Sequence, residues 1–400
     1  MTSLTLLAAD GATTTVPLNA APGYAKPPAP LRARVAYAAA HVVPVVHGDN
    51  TPGRPAEIDW DATLAFRRHV YSWGLGVADA MDTAQRNMGL DAAATRELIA
   101  RSAEVAREEG GSVVVGVNTD HVEAEHLTID EVISAYREQL EFTEEQGAGP
   151  VLMASRHLAR VAEGAEDYRR VYREVLQRAT TPVVLHWLGT AFDPQLEGYF
   201  GSTEWPAASD VLLQIIKENP GKVAGVKMSL LNAESEVAVR ERLPEGVRMF
   251  TGDDFNYVGL IGGGDVPAAA QPQRDLRATR QHSDALLGAF AALTPVASAA
   301  IQALDAGDAA RYLEILAPTE ALSRQVFAAP TFYYKTGVAF LAWLNGHQAA
   351  FQMVGGLHSA RSLPHLSRIV ELANAAHALE QPDLAASRWH AMLWLNGVDA

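Results

Sequence analysis

The sequence predicts a (β/α)₈ barrel with appended C-terminal helices. From Arg34 onward, short β-branched runs alternate with longer amphipathic stretches. Eight such units occupy roughly 250 residues, which is the usual size of this barrel, and polar residues follow most of the apolar runs. An open, doubly wound sheet is the alternative, but no Gly-rich phosphate fingerprint follows the first run, which disfavours its dinucleotide-binding form.

The candidate strands are mostly apolar throughout, as strands buried on both faces should be. They are Ala39–Val46, Leu75–Ala80, Ser112–Val117, Pro150–Ala154, Pro182–Trp187, Val223–Met228, Val247–Thr251 and Asp284–Leu287. The stretches between them that carry helical spacing of apolar residues are Trp60–Trp73, Ala92–Glu109, Thr128–Gln146, Glu166–Ala179 and Ser209–Asn219.

This pattern divides the chain into three regions. Residues 1–33 are predicted to be an N-terminal extended arm, because Ala20–Pro30 is rich in proline and alanine. Residues 34–293 hold the barrel, with Gly262–Gln281 as a surface loop before the last strand. Residues 294–400 are predicted to be a helical extension that packs on the barrel, since no linker precedes them.

Composition excludes several classes of function. The formal net charge of −15 disfavours binding to phosphate backbones, so we expect no nucleic-acid partner. The absence of cysteine excludes disulfides, thiolate nucleophiles and Cys-ligated zinc. There is no signal peptide and no apolar stretch of about 18 residues, so we expect no membrane association and a cytoplasmic location.

Lys227 is the sharpest candidate for catalysis. It lies inside the apolar run Val223–Leu230, where loss of hydration lowers the pKa of an amine. A neutral amine attacks carbonyl carbons, so this position suits Schiff-base chemistry. The alternative is a lysine at a strand end that reaches water or pairs with an aspartate.

Other polar residues cluster around the predicted strand ends, and the active site of a barrel lies at the C-terminal ends of its strands. His186 on the fifth strand is a candidate for proton transfer or a hydrogen bond to substrate, with a satisfied core histidine as the alternative. The candidates for substrate binding are Asp82, Thr83, Arg156, Ser229, Asp253 and His282. For Asp82 and for one of Asp253 and Asp254, helix capping is the competing interpretation.

The order of these motifs resembles the dihydrodipicolinate synthase / N-acetylneuraminate lyase superfamily of class I aldolase barrels. Gly225–Ser229 (GVKMS) is similar to the strand that bears the Schiff-base lysine in that family, and Gly252–Asp254 (GDD) is similar to the motif after the next strand. Asp82–Leu90 lies in the place of its Gly-Thr-Thr-Gly-Glu segment. The resemblance covers roughly residues 34 to 370 and is strongest to an uncharacterised, divergent branch of the superfamily.

The resemblance implies an imine on Lys227 and a homodimer or homotetramer. It does not imply pyruvate, because the family's second threonine falls on Ala84 and its strand-five tyrosine on His186. We therefore expect a lyase or aldolase that acts on a small keto acid or keto-sugar-like carbonyl compound, with no cofactor and no metal.

Two other functions stay open. The first is a metal-dependent barrel, such as a sugar isomerase or class II-like aldolase, since histidines and aspartates at the strand ends could furnish ligands. Its candidate ligands are His47, Asp49, Asp79, Asp120, His121, His186, Asp253 and His282. The second is a non-catalytic barrel that only binds a ligand.

Overall fold

The computed structural model describes residues 3–265 and 282–399. Its strands are β1 (Ser3–Leu7), β2 (Thr13–Pro17), β3 (Ala36–Ala39), β4 (Gly76–Asp79), β5 (Val113–Val117), β6 (Gly149–Leu152), β7 (Val183–Leu188), β8 (Val223–Ser229), β9 (Arg248–Thr251) and β10 (Asp284–Leu287). Its helices are α1 (Trp60–Ser72), α2 (Ala92–Glu109), α3 (Ile129–Glu145), α4 (Arg156–Val161), α5 (Ala165–Arg178), α6 (Trp205–Glu218), α7 (Ala233–Arg240), α8 (Tyr257–Gly262), α9 (Ala289–Ala292), α10 (Thr294–Asp305), α11 (Ala309–Leu316), α12 (Thr319–Val326), α13 (Tyr334–Leu344), α14 (Leu363–Ala375) and α15 (Pro382–Leu395).

Strands β3 to β10 form a closed barrel in which every neighbouring pair is parallel. Helices between the strands cover the outside, and α10 to α15 follow the last strand. The predicted (β/α)₈ barrel with C-terminal helices is therefore confirmed. Among the described residues, no helix is both long and apolar enough to cross a membrane.

Local sequence signals set the helix ends. Asp91 accepts a hydrogen bond from Ala94 N at the start of α2, and Gly110 ends that helix in the left-handed conformation. Thr128 and Glu131 form a capping box at the start of α3. These caps satisfy backbone groups at helix ends, which fixes where each helix meets its strand.

The first barrel strand lies earlier than the sequence predicts. The expected strand Ala39–Val46 contains a β-branched run, but β3 ends at Ala39. The run that follows is buried beside α1, where Val43 N donates to Thr63 Oγ1 at 3.0 Å. A buried extended segment beside a helix has the same run of apolar residues as a buried strand, which explains the misplaced prediction.

The N-terminal region contains a hairpin that the predicted extended arm did not include. Strands β1 and β2 pair antiparallel, and β1 packs on α14 and α15. Trp389 Nε1 donates to Thr5 O at 2.7 Å, and Leu7 N donates to Ser367 Oγ at 2.7 Å. The predicted surface loop Gly262–Gln281 lies mostly outside the described residues.

Candidate active site

Lys227 points into the barrel. Its register neighbours are His186 on β7 and Phe250 on β9. Phe250 belongs to the cluster of side chains that fills the barrel interior, and register partners in a parallel sheet share a face. A Cβ on Gly252, which follows β9, would lie 2.9 Å from Lys227 Cε. The missing side chain at Gly252 thus leaves the space that the lysine stem occupies.

Lys227 is a buried residue whose amine has no partner within the part of the chain that the structure describes. The side chain is 7% exposed and makes no hydrogen bond or ion pair with any residue that the structure describes. Burial lowers the pKa of Lys227, while the carboxylates of Asp82 and Asp254 act in the opposite direction. The environment therefore favours the neutral, nucleophilic form of this amine.

Asp254 is a buried carboxyl group that acts electrostatically on Lys227. It follows β9 directly after Asp253, and its Oδ1 accepts a hydrogen bond from Ala289 N at 2.9 Å. Burial raises the pKa of Asp254 to about 8, although this backbone bond and Lys227 lower it. Burial thus acts on both groups in the same sense, since it favours the uncharged form of the acid and of the amine.

His186 is fully buried beside Lys227. Its Nε2 lies 3.2 Å from Ser229 Oγ, the next inward residue on β8. Burial, followed by the positive charge of Lys227, holds the pKa of His186 well below its ordinary value. His186 is therefore a neutral imidazole, and its hydrogen bond to Ser229 fixes the orientation of the ring.

A tyrosine from the C-terminal extension enters the same group. Tyr334, at the start of α13, lies 2.8 Å through its hydroxyl from Thr83 Oγ1 and stacks on Phe327 at 4.4 Å between ring centroids. Burial, then the charges of Asp82 and Asp254, raises the pKa of Tyr334 well above its ordinary value. The same two carboxylates act on Lys227, so the tyrosine hydroxyl and the amine share one environment.

Lys335 is a second buried lysine near this site. Its Nζ donates to Phe332 O at 3.0 Å and lies 4.6 Å from the centroid of the Tyr334 ring. Burial lowers the pKa of Lys335 to about 8, while Asp82 and Asp193 oppose that change. Unlike Lys227, this amine is held by a carbonyl oxygen and an aromatic face.

The segment after β4 places Asp82 and Thr83 and carries unusual backbone angles. Ala80, Gln85 and Asn87 have φ values of 47°, 65° and 63°, a region that costs energy for residues other than glycine. Such conformations persist where the surroundings hold them, and they cluster at functional sites. The 3₁₀ turn Asp82–Ala84 lies within this segment.

Arg86 holds that segment in place. The guanidinium is buried and donates two hydrogen bonds to Asp120, each at 2.7 Å. It also donates to the backbone carbonyls of Ala80 and Gly116. Burial alone would raise the pKa of Asp120, but the Arg86 charge lowers it, so the pair is ionised.

A cavity of about 280 Å³ opens at the C-terminal ends of β4 to β7. Its wall includes Asp82, Asn118 and Arg156, and Arg156 Nε donates to Asp193 Oδ2 at 2.6 Å. Lys227 is not among the residues that line this cavity. Asp82 connects the cavity to the lysine, because its side chain borders the cavity and its charge acts on Lys227. The lining carries amides, hydroxyls, carboxylates and guanidinium groups, which bind hydroxyl-rich compounds.

Two residues predicted to bind substrate, Asp253 and His282, are not available at the cavity. Asp253 is buried, and its carboxylate accepts hydrogen bonds from Phe255 N, Asn256 N and Asn256 Nδ2, so it organises the turn after β9. His282 precedes β10 and therefore lies at the N-terminal end of its strand, away from the ends that carry Asp82 and Asp254.

Several residues considered as metal ligands at the barrel mouth have other partners. Asp79 accepts two hydrogen bonds from the Arg67 guanidinium and one from Ser102 Oγ. Asp120 is paired with Arg86. Within residues 3–265 and 282–399, the only three-ligand group of His, Asp and Glu atoms is formed by His69, His347 and Glu380.

Comparison with known proteins supports the predicted resemblance in fold. A family model described as a protein of unknown function matches residues 4–398. The solved dihydrodipicolinate synthase from Thermotoga maritima has a TM-score of 0.61 at 12% identity and covers 87% of this chain and 100% of its own. The dihydrodipicolinate synthase from Aquifex aeolicus has a TM-score of 0.60 at 14% identity and covers 87% and 99%.

A 4-hydroxy-tetrahydrodipicolinate synthase from Methylacidiphilum fumariolicum SolV has a TM-score of 0.59 at 14% identity and covers 86% of this chain and 99% of its own. No curated protein sequence matches the chain. At such low identity, these likenesses show a shared fold and leave the activity to be inferred from the site.

Proposed function

The chain belongs to the DUF993 family of proteins of unknown function, and from its site we propose that it is a lyase that forms an imine on Lys227. The carbonyl substrate is a small keto acid or a keto-sugar-like compound. The observation that carries the proposal is a buried lysine amine, unpaired among the described residues, that points toward the C-terminal end of a barrel of the dihydrodipicolinate synthase fold.

The first step needs a neutral amine. Burial supplies it, because the interior lowers the pKa of Lys227 while no described residue pairs with its Nζ. The nitrogen lone pair attacks the carbonyl carbon, the π electrons of the carbonyl move to its oxygen, and one proton passes from the nitrogen to that oxygen to give a carbinolamine. The neighbouring Lys335 is less suited to attack, since a carbonyl oxygen and the Tyr334 ring hold its amine.

The second step expels water and needs an acid. The raised pKa of Asp254 keeps a share of its carboxyl groups protonated near neutral pH, so it can donate the proton that leaves with the hydroxyl group. The resulting iminium accepts the electron pair of a bond that breaks at the neighbouring carbon. Proton transfer at that carbon falls to Tyr334, whose hydroxyl is bonded to Thr83.

The cavity suggests the class of substrate. Its lining combines two guanidinium groups, those of Arg156 and Arg160, with a larger number of carboxylates. These belong to Asp82, Asp120, Glu123, Glu125 and Asp193, so acidic groups outnumber basic ones. Hydroxyl groups of a substrate can both donate to carboxylates and accept from guanidinium groups. This mixed lining favours a polyhydroxylated carbonyl compound over a bare acyl chain.

Borohydride trapping tests the proposal. Purified wild-type protein is treated with borohydride in the presence of keto acids and keto sugars, and the intact mass and its peptide map are recorded. We expect a mass increase equal to one reduced imine, located on Lys227. The variants Lys227→Met and Lys335→Met provide the matched pair, because both remove a buried amine and keep an apolar stem.

The adduct should disappear in Lys227→Met and persist in Lys335→Met. An adduct on Lys335, or one that survives in Lys227→Met, would contradict the assignment of the nucleophile. Absence of an adduct with every compound of the panel in folded wild-type protein would refute imine formation with this class of substrate.

A further inference from the structure

A group of potential metal ligands lies outside the barrel mouth. His69 is in the last turn of α1, His347 follows α13, and Glu380 precedes α15. One ligand atom from each residue lies within 4.8 Å of the others. We infer that these three side chains bind one divalent transition-metal ion of the zinc type, and that the ion fastens the C-terminal helices to the barrel.

The spacing of the ligand atoms suits such an ion. His347 Nε2 lies 2.8 Å from Glu380 Oε1, and His69 Nε2 lies 3.6 Å from the same oxygen. Zinc bonds of about 2.0–2.1 Å in tetrahedral geometry place neighbouring ligand atoms about 3.3 Å apart. The two observed distances to Glu380 lie on either side of that value, and all three ligand atoms lie within 4.8 Å of one another.

His69 supplies an independent indication of a missing partner. Its Nε2 is buried and makes no hydrogen bond with any described residue, although it faces the Glu380 carboxylate. A buried polar nitrogen without a partner costs free energy, which a bound cation would recover.

The surroundings hold the two imidazoles toward each other. The rings of His69 and His347 lie 4.3 Å apart, and Phe66 contacts both, at 5.9 Å and 5.3 Å between centroids. The three ligand side chains are between 16% and 21% exposed, which leaves room for water as a fourth ligand. Lys26 adds a positive charge near His69, and the Glu380 carboxylate opposes it.

Two imidazoles and one carboxylate are the donor set of many zinc sites and also bind other divalent first-row metals. Here the ligands come from one barrel helix and from two separate parts of the extension. A bound ion would therefore stabilise the folded chain, because the same ligands lie far apart in sequence and are not preassembled in the unfolded state.

Zinc binding to the full-length protein tests the inference. Protein stripped with a chelator and dialysed free of it is titrated with Zn²⁺, bound metal is counted by elemental analysis, and thermal unfolding is followed. We expect one tightly bound ion per chain and a higher Tm with zinc. The variant His69→Gln should bind at least 30-fold more weakly and lose the zinc-dependent rise in Tm.

His69→Gln is the most informative variant because His69 Nε2 makes no hydrogen bond within the described residues, so the metal-free fold keeps its polar contacts. His126→Gln, at an exposed histidine, is the matched control and should bind zinc as wild type does. Lys227→Met should also bind normally, which separates this site from the imine chemistry. Equal zinc affinity in wild type and His69→Gln, or no saturable site in folded wild type, would overturn the inference.

Discussion

At the scale of single residues, the site combines groups that sequence can and cannot predict. An apolar run around Lys227 indicates an inward lysine, and the β7–β8 register then brings His186 and Ser229 beside it. Sequence does not distinguish Asp253 from Asp254, because adjacent residues after a strand point in different directions. The sequence alone does not indicate a role for Tyr334, because only folding of the extension brings its hydroxyl to Thr83.

Tyr334→Phe tests the role of this tyrosine hydroxyl. We expect the reduced imine on Lys227 to form as in wild type, whereas solvent exchange of protons at the carbon next to the carbonyl should fall by about 10²–10⁴. Exchange is measured by NMR in D₂O with a carbonyl compound that labels Lys227. Tyr312→Phe, which removes another buried hydroxyl of the extension, should exchange at the wild-type rate. Unchanged exchange in Tyr334→Phe would exclude the hydroxyl as the proton carrier.

At the scale of secondary-structure elements, the helical and strand patterns identify most of the barrel. The predicted bounds of α2 and of β10 agree with the structure, since strong caps and sharp turns mark them. The first strand is misplaced because a buried extended segment beside a helix and a buried strand share one apolar pattern. The hairpin β1–β2 is missed because its short alternating runs lie beside a region rich in proline.

Arg86 is the buried arginine that ties the segment after β4 to Asp120 and to the backbone of β5. The substitution Arg86→Ala would leave the Asp120 carboxylate without its arginine partner. It would also remove the hydrogen bond that Arg86 donates to the Ala80 carbonyl. We expect a loss of about 3–5 kcal/mol in the free energy of unfolding, measured by urea denaturation.

Arg54→Ala is the control for this experiment, because it breaks an exposed arginine–aspartate pair, Arg54 with Asp49. That substitution should cost less than about 1 kcal/mol. Equal losses in the two variants would show that the segment does not depend on Arg86.

At the scale of the whole molecule, the extension is part of the site, since α13 contributes both Tyr334 and Lys335 to the C-terminal end of the barrel. A homodimer or homotetramer stays a prediction, which sedimentation of the purified chain would check.

Stability of the entire fold also depends on buried carboxyl groups. Burial raises the pKa values of Glu236 and Asp254 to about 8, from ordinary values of 4.5 and 3.8.

These raised pKa values determine how global stability varies with pH. Between pH 4.5 and 8 the folded chain keeps the Glu236 proton that the unfolded chain has released. The stabilisation is therefore complete below pH 4.5 and is lost as pH rises toward 8, by about 1.4 kcal/mol per pH unit for one proton. Glu236→Gln should weaken this decline in urea denaturation series between pH 5.5 and 8.

Glu234→Gln, an exposed position in the first turn of the same helix α7, is the control and should keep the decline of wild type. A pH dependence in Glu236→Gln that equals the wild-type one would mean that this carboxyl group is already ionised in the folded protein.

The docking of β1 on α14 and α15 has a consequence for biosynthesis. On the ribosome, the hairpin emerges well before its partners, because Ser367 lies 360 residues after Leu7 and Trp389 lies 384 residues after Thr5. An isolated two-stranded hairpin is only marginally stable in water. The hairpin therefore has no docking surface until α14 and α15 have been synthesised. The barrel strands all precede those helices in the chain, so they can pair before the hairpin docks.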